Sequence, residues 1–222
     1  MKTHPLLLAV PVLLISLLIS CASIPREIST CKEVPVESVT EPFDDKVLPD
    51  IVEKFIPPTY IMGPGKVSAE NMALFLLQNN QNIDSNFSRT FARLYIEEAS
   101  FEGVNHDIAF TQMCLETGFL RFGGDVKPEQ NNFAGLGAIG NGEPGLSFPD
   151  PRIGVRAQIQ HLKAYGSTEP LNEELVNPRF RFVRRGSAPT IEGLAGTWAA
   201  DRQYAVKINS ILQRLYDFSF LD

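Results

Sequence analysis

Residues His106 to Thr117 read HDIAFTQMCLET. At about 100° per residue, the apolar side chains of this stretch point in nearly every direction around a helix axis, which is typical of a helix buried in the centre of a domain. Asn105 is placed to cap the start of this helix, and Gly118 is placed to end it. The stretch therefore predicts a central helix over residues 106–117.

Glu116 is the only charged residue of this helix after its first turn. An unpartnered carboxylate is expensive to bury, so Glu116 is expected either to reach a cleft or to be held for chemistry. The negative end of the helix dipole and the apolar neighbours both disfavour its charged form and predict a raised pKa, as a general acid needs. The alternative is a solvent-exposed glutamate at a frayed helix end.

Outward from the central helix, apolar residues recur at helical spacing on both sides. The predicted helices run to about residue 78 after a Ser68 cap, and over residues 86–102, 152–165, 190–198 and 204–216. In the second of these, Phe87, Phe91 and Phe101 are expected to face inward. Residues 123–150 are rich in Gly, Asn and Pro and predict a loop, then a small hairpin turning near Asn141-Gly142. The predicted fold class is mainly α, with one small β-hairpin lobe.

The N-terminal segment has the pattern of a targeting signal. Lys2 precedes an almost wholly apolar run from Leu6 to Leu18, which is too short for a comfortable transmembrane helix. Cys21 then follows a small residue, and the segment resembles a bacterial lipoprotein signal. The resemblance implies acyl chains on Cys21 that anchor the protein to a membrane; the alternative is an ordinary cleavage site beside a chance cysteine. The residue after Cys21 is Ala22 and not an aspartate. In a cell with two membranes, this favours the outer membrane, with the protein facing the periplasm.

A tether is predicted behind this anchor. Residues 22–58 contain six prolines, eight acidic and four basic residues, and no helical or strand period persists. Prolines at this frequency break core-forming elements. The predicted organisation is a signal peptide over residues 1–20, the lipidated cysteine and tether over 21–58, and one helical domain over 59–222, located in the cell envelope.

The composition argues against several classes of protein. The 222 residues include 20 Lys and Arg against 26 Asp and Glu, a formal net charge of −6, so nucleic acid is not an expected partner. Three cysteines without a CxxC pair and three histidines argue against a metal site, and the chain has no GxxxxGK[ST] loop. No metal or cofactor is therefore expected. The sequence leaves open the oligomeric state and whether Cys31 and Cys114 pair.

Three ordered sequence blocks point to a family. They are Glu116-Thr117-Gly118, then Asn131-Asn132-Phe133-Ala134-Gly135, and finally WAADRQYAVKI from Trp198 to Ile208. Together they resemble the glucosaminidase domain of glycoside hydrolase family 73, over about Ile61 to the end of the chain. The departures from the family pattern are Trp198 for Tyr, Ala200 for Thr, Arg202 for Pro, and Ala134 where the family often has Phe.

This resemblance implies a lysozyme-like α fold and hydrolysis of the peptidoglycan glycan strand, at the β-1,4 bond after N-acetylglucosamine. Glu116 matches the family's catalytic acid, which protonates the glycosidic oxygen as the bond breaks. The second group is left open among Asp125, Glu129, Glu143 and Asp150. Of these, Glu143 is nearest to the position where family members can carry a second carboxylate. Without a carboxylate close to Glu116, the substrate's own acetamido group is expected to assist.

Four residues are expected to bind the sugar strand: Asn132, Phe133, Trp198 and Tyr204. Asn132 has the alternative of a turn residue, and Tyr204 that of a half-buried aromatic at a helix start. His161 is expected to be a satisfied core residue, and Asp201 to cap the last helix.

Two other functions fit the same residues. A lytic transglycosylase uses a similar fold and glutamate but forms a 1,6-anhydro product without water; the second and third sequence blocks favour the hydrolase. A wall-binding lipoprotein without turnover would also keep an apolar cleft. Retention of Glu116 argues against it, because pure binding gains little from a desolvated acid.

Overall fold

The computed structural model describes residues 56–138, 140, 142 and 144–221. The predicted signal peptide over residues 1–20, the predicted lipidation site Cys21 and nearly all of the predicted tether lie outside them, as does Glu143. The described part of the chain forms six α-helices and two 3-10 helices. The α-helices are α1 (Ala69–Asn79), α2 (Ser85–Glu102), α3 (His106–Thr117), α4 (Pro151–Gly166), α5 (Ile191–Leu194) and α6 (Tyr204–Phe220), and the 3-10 helices are Pro128–Gln130 and Phe180–Phe182.

Helix α3 has the predicted bounds and lies in the centre of the domain, where it packs against α2, α4 and α6. The Asn105 side chain accepts hydrogen bonds from the N–H groups of Asp107 and Ile108, and Gly118 ends the helix with φ 58°. Most of its residues are buried, polar ones included. Local capping and an apolar pattern on all sides are thus enough to specify this element.

Helices α1, α2, α4 and α6 also confirm the predicted pattern, with ends displaced by up to four residues. The inward face of α2 differs from the prediction, however. Phe87 and Phe101 are 40% and 47% exposed, because they lie in the first and last turns of the helix, beyond the core. Near the end of the helix, the buried positions are taken by Glu98 and Glu102 instead.

The helix predicted over residues 190–198 is shorter than expected. Only Ile191–Leu194 is helical, because the N–H groups of Thr197, Trp198 and Ala199 all bond to the one carbonyl of Leu194. This convergence closes a tight turn in place of a second helical turn. The turn places Trp198 beside α4.

The lobe over residues 123–150 lies at one side of the helices, and its described residues form turns with single hydrogen bonds in place of the expected strand pair. The Leu146 N–H bonds to the Leu136 carbonyl at 2.9 Å, and the Phe148 N–H bonds to the Gln130 carbonyl at 2.8 Å. Gly145 has φ 71°, and a Cβ there would lie 2.8 Å from the Ala138 nitrogen, so only glycine fits this crossing.

The prediction of a mainly α fold is confirmed. Extended pairing in the described residues is limited to isolated bridges such as Tyr60 with Thr190 and Met62 with Val104. None of the helices in residues 56–221, outside the three undescribed positions, is long and apolar enough to cross a membrane.

Candidate active site

The carboxylate of Glu116 lies at the C-terminal end of α3, where two neutral donors meet it. The Tyr204 hydroxyl, from the first residue of α6, donates a short hydrogen bond to Glu116 Oε1. The indole Nε1–H of Trp198 donates to the same oxygen at 3.2 Å. Residues that are 82 and 88 positions away in the sequence therefore converge on a single oxygen of this acid.

The second oxygen of Glu116 lies on the side of a cavity. A Cβ built on Gly135 would lie 3.6 Å from Oε2, which places this oxygen next to the lobe. The cavity has a volume of about 160 Å³. It is lined by Glu116, Thr117, Phe122, Gly123, Gly124, Asp125, Val126, Asn132, Gly135 and Ala138. The acid thus has one oxygen held by protein donors and the other beside space for a ligand.

The environment of Glu116 favours its protonated form. Burial raises the pKa of Glu116 above its ordinary value, and the hydrogen bonds from Tyr204 and Trp198 oppose this rise without cancelling it. The residue as a whole is exposed, because its side chain opens to the cavity. Solvent on that side moderates the effect of burial. The direction of the pKa shift is the one predicted from the sequence.

Trp198 is held by an aromatic cluster on α4. Its ring centroid lies 4.9 Å from that of His161 and 5.7 Å from that of Tyr165. His161 is bonded through Nδ1 to Asn177, and burial lowers the pKa of His161 to about 4, with a further contribution from Arg179. His161 is therefore a satisfied core residue, as expected. Its neutral ring helps to fix the plane of the indole.

The segment after Glu116 has an unusual backbone. Phe119, Leu120, Phe122 and Asn131 all have φ between 50° and 59°, although bulky side chains rarely adopt this left-handed conformation. Thr117 supports the first turn, because its hydroxyl donates to the Met113 carbonyl and accepts from the Leu120 N–H, both at 2.8 Å. The chain is thus turned sharply away from α3, and this turn opens the space in front of Glu116.

Two residues predicted to bind sugar have structural contacts that account for them. The Asn132 side chain is 1% exposed and bonds to Leu136 N–H, Leu136 carbonyl and Leu146 carbonyl, so it braces the lobe while one edge borders the cavity. Phe133 is 3% exposed and packs 4.7 Å from Phe91. It lines a second cavity, which shares Phe122 with the cavity beside Glu116, so its contact with sugar stays a prediction.

The four candidates for a second carboxylate differ in their position relative to the cavity beside Glu116. Asp125 lines the cavity that Glu116 lines, whereas Glu129 is exposed in the 3-10 helix Pro128–Gln130. Asp150 caps α4 by accepting the Ile153 N–H at 3.0 Å. Glu143, the preferred candidate, lies outside the described residues.

Asp201, which is expected to cap the last helix, and Cys114 do not line the cavity beside Glu116. Asp201 accepts the Gln203 N–H in the turn before α6 and pairs with Lys207, while Gln203 occupies the capping position itself. Cys114 is buried and forms no disulfide within the described residues, and burial raises its pKa. In the described part of the chain, no group of three His, Cys, Asp or Glu side chains is arranged to hold a metal ion.

Sequence reasoning missed Gln112, whose side-chain N–H donates to the Tyr204 hydroxyl at 3.0 Å. One signal could have found it. Gln112 is a long polar residue in a helix that is otherwise apolar on all sides, and it lies four positions before Glu116, on the same face. A buried polar group that is four residues from a suspected acid is a candidate for the same network.

A protonatable carboxylate with one oxygen fixed and one facing a cavity is what a glycosidase needs as general acid. The comparison with protein families agrees: the family model described as Mannosyl-glycoprotein endo-beta-N-acetylglucosaminidase matches residues 92–217. The chain belongs to this glucosaminidase family, which makes it a glycosidase by family. The expected lysozyme-like domain accords with that membership.

Two similar proteins add context. An uncharacterized protein of Borreliella burgdorferi is 45% identical over 167 residues, which cover 75% of this chain and 81% of the relative. The crystal structure of S. aureus Autolysin E in complex with the muropeptide NAM-L-ALA-D-iGLU has a TM-score of 0.48 and 14% identity, covering 72% of this chain and 71% of the other. A structural similarity with this TM-score and identity does not by itself assign a fold or a substrate.

Proposed function

We propose that this protein is a peptidoglycan hydrolase that cleaves the β-1,4 bond after N-acetylglucosamine, with Glu116 as general acid. The observation that carries the proposal is the position of the Glu116 carboxylate, which is bonded on Oε1 by Tyr204 and Trp198 and lies with Oε2 beside the cavity. Membership of the glucosaminidase family and the three sequence blocks support the choice of bond and of glycan.

In this mechanism, Glu116 donates its proton to the glycosidic oxygen while the sugar develops oxocarbenium character. Tyr204 and Trp198 then stabilise the carboxylate that the donation leaves, because both are already oriented towards Oε1. Asp125 faces the same cavity and is a candidate to activate the attacking water, with Glu143 as its competitor. A carboxylate ~6.5–9.5 Å from the acid gives inversion of the anomeric centre.

The sequence supports a location for this activity. We propose that Cys21 carries acyl chains, and that residues 21–58 let the domain reach peptidoglycan from the membrane, facing the periplasm in a cell with two membranes. Replacement of Cys21 by alanine should release the protein from the membrane fraction. Continued membrane association of the Cys21→Ala protein would show that another anchor exists.

The test of the activity is a digest of purified peptidoglycan by the full chain in mild detergent, with wild type beside Glu116→Gln. Mass spectrometry should find fragments with N-acetylglucosamine at the reducing end from the wild type alone. Anhydromuramic ends would identify a lytic transglycosylase. Binding of both proteins to peptidoglycan without any fragments would identify a wall-binding module, and full activity of Glu116→Gln would refute the assignment of the acid.

A further inference from the structure

A line of buried amides runs from the core of the domain to Glu116. Gln158 of α4 and Gln112 of α3 are both 0% exposed. Gln158 Nε2–H donates to the Ala109 carbonyl and to Gln112 Oε1, each at 2.9 Å. Gln112 Nε2–H donates in turn to the Tyr204 hydroxyl at 3.0 Å, and this hydroxyl donates to Glu116. Burying two primary amides at such a place is expensive unless all their bonds are made.

The direction of every bond in this line is fixed by one backbone group. The carbonyl of Ala109 can only accept, so it forces the nitrogen of Gln158, not its oxygen, to face α3. With the Gln158 amide set, Gln112 must present its oxygen to Gln158 and its nitrogen to Tyr204. Reversal of either amide would bring two oxygens or two N–H groups together. The Tyr95 hydroxyl agrees with this assignment, because it donates to Gln158 Oε1 at 2.7 Å.

The consequence reaches the acid itself. Because its oxygen accepts from Gln112, the Tyr204 hydroxyl directs its hydrogen towards Glu116 Oε1. Trp198 donates to the same oxygen. Two donors on Oε1 leave Oε2 as the oxygen that binds the acidic proton, and Oε2 is the oxygen beside Gly135 and the cavity.

We infer that Gln112 and Gln158 are positioning residues that set the donor direction of Tyr204 and thereby keep the acidic proton of Glu116 on the oxygen that faces the substrate cavity. The contribution of Gln112 and Gln158 to turnover rests on the proposed function. Their effect on the position of the Glu116 proton does not, because it concerns the protein without substrate.

Several titratable groups face Glu116 and must be separated from it in any test. Tyr204 comes from α6, Asp125 from the lobe, and His161 and Tyr165 from α4 through their contacts with Trp198; Arg179 acts on the last two. Burial raises the pKa of Tyr204 well above its ordinary value, so Tyr204 stays protonated throughout the acidic range. His161, with a pKa of about 4, titrates in the acidic range, so its titration must be separated from that of Glu116.

The experiment uses the single tryptophan of the chain, Trp198, as its reporter. Protein labelled with ¹⁵N at the indole is titrated by NMR, since the indole N–H bonds to Glu116 and its resonance should follow ionisation of this acid. Glu116→Gln should remove that titration, and His161→Phe should remove any component that belongs to the histidine. No substrate is needed, so a wild type without peptidoglycan activity would overturn the proposed function and still leave this inference decided.

The decisive variant is Gln112→Met, which fills the same space without an amide. Its Tyr204 hydroxyl is free to turn away from Glu116, so the titration midpoint of Glu116 should rise by roughly 0.5–1 pH unit. With peptidoglycan, kcat should fall about ten-fold with KM nearly unchanged, because Gln112 contacts no ligand space and only orients the acid. Gln158→Met should give a smaller change in the same direction, and it serves if Gln112→Met does not fold.

The matched control is Tyr95→Phe. It also removes one hydrogen bond from a residue that is 0% exposed, but Ala109 still fixes the Gln158 amide. The midpoint and kcat should therefore stay at the wild-type values while stability falls. A folded Gln112→Met protein with an unchanged midpoint would overturn the inference, and so would an equal shift in Tyr95→Phe.

Discussion

Helices α2 and α3 both carry glutamates whose carboxylates are bonded by other side chains, and the charge of these partners differs. Glu98 and Glu102 of α2 are 1% and 2% exposed and bond to cations: Arg152 and Arg156 for the first, Lys163 for the second, all at 2.7 Å. Among the described residues, the partners of the Glu116 carboxylate in α3 are neutral donors from Tyr204 and Trp198.

Under the proposed function, this difference separates a structural carboxylate from a reactive one. A cation beside a carboxylate stabilises its charged form and lowers its tendency to bind a proton. Neutral donors orient the carboxylate and leave it able to hold and release a proton, which general acid catalysis requires. The sharper test of function is therefore the charge of the partners that bond to a glutamate.

The largest expected effect comes from breaking the buried ion pair between α2 and α4. Lys163 and Glu102 have side chains that are each 1% exposed, so Lys163→Met leaves an uncompensated carboxylate in the core. We expect the free energy of unfolding to fall by about 3–5 kcal/mol. Urea denaturation measures this change, and the titration midpoint of Glu116 should not move.

The control for that prediction is the double variant Glu102→Gln/Lys163→Met. Glu102 accepts the Asn172 N–H on Oε2 at 3.0 Å and the Glu173 N–H on Oε1 at 3.1 Å. Glutamine removes the charge and keeps one of these two acceptors, so the double variant should recover part of the lost stability. If it is no more stable than Lys163→Met, the charge on Glu102 is not the source of the loss.

The next effect should come from removing a neutral donor. Tyr204→Phe removes the hydroxyl that donates to Glu116 Oε1, so the pKa of Glu116 should rise further, because this bond opposes the effect of burial. The upper limb of the pH–activity profile should then move to higher pH. The rate should fall roughly ten- to hundred-fold, since the acid is less well oriented.

Tyr216→Phe is the control for Tyr204→Phe on the same helix. Its hydroxyl donates to Asp107 Oδ2 at 2.7 Å, far along α3 from Glu116. This variant should lower stability and leave the pH profile in place. A similar displacement of the profile in both variants would show that α6 acts on Glu116 through general packing.

A smaller effect is expected at Gly135, which bounds the space in front of the acid. With φ at 61°, alanine there is strained by about 1–2 kcal/mol, and its Cβ would lie 3.6 Å from Glu116 Oε2. We expect Gly135→Ala to lower both stability and kcat/KM. Gly123 lines the same cavity with nothing within 4 Å of an added Cβ, so Gly123→Ala should leave both nearly unchanged; an equal loss there would mean that the whole cavity rejects a methyl group.

The sequence predicted what local signals specify. The bounds of α3 follow from Asn105, Gly118 and the apolar pattern between them, and the same helix drew attention to Glu116 because a charge is out of place there. The side chains that bond to Glu102 and Glu116 could not be predicted from such local signals. Lys163 lies 61 positions from Glu102, and Tyr204 lies 88 positions from Glu116, so these pairs depend on how the helices pack.

The errors have the same physical origin. Phe87 and Phe101 fit the apolar spacing of α2, yet they lie beyond the reach of the core at its two ends. Phe133 belongs to a block that resembles a sugar-binding motif; it packs against Phe91 and also lines a cavity, so its contact with sugar stays a prediction. Periodicity and motifs identify which residues matter, but tertiary packing decides whether such a side chain meets protein or ligand.

The smallest and most discriminating effect concerns the stability of Glu116→Gln. Because the folded pKa of Glu116 is raised above its ordinary value of 4.5, the folded protein holds this proton more tightly than the unfolded chain. That contribution is complete below pH 4.5 and is lost as the pH rises through the folded pKa, so wild type should lose stability relative to Glu116→Gln over this range. Glutamine keeps an oxygen for Tyr204 and Trp198, so the free energies of unfolding of the two proteins should differ by no more than about 0.5 kcal/mol. Denaturation of both proteins at pH 4 and pH 7 measures the sign, and the titration of His161 cancels because both proteins contain it. If wild type instead gains stability relative to the variant as the pH rises, then Glu116 is stabilised as a charge, and the distinction between glutamates bonded by cations and by neutral donors fails.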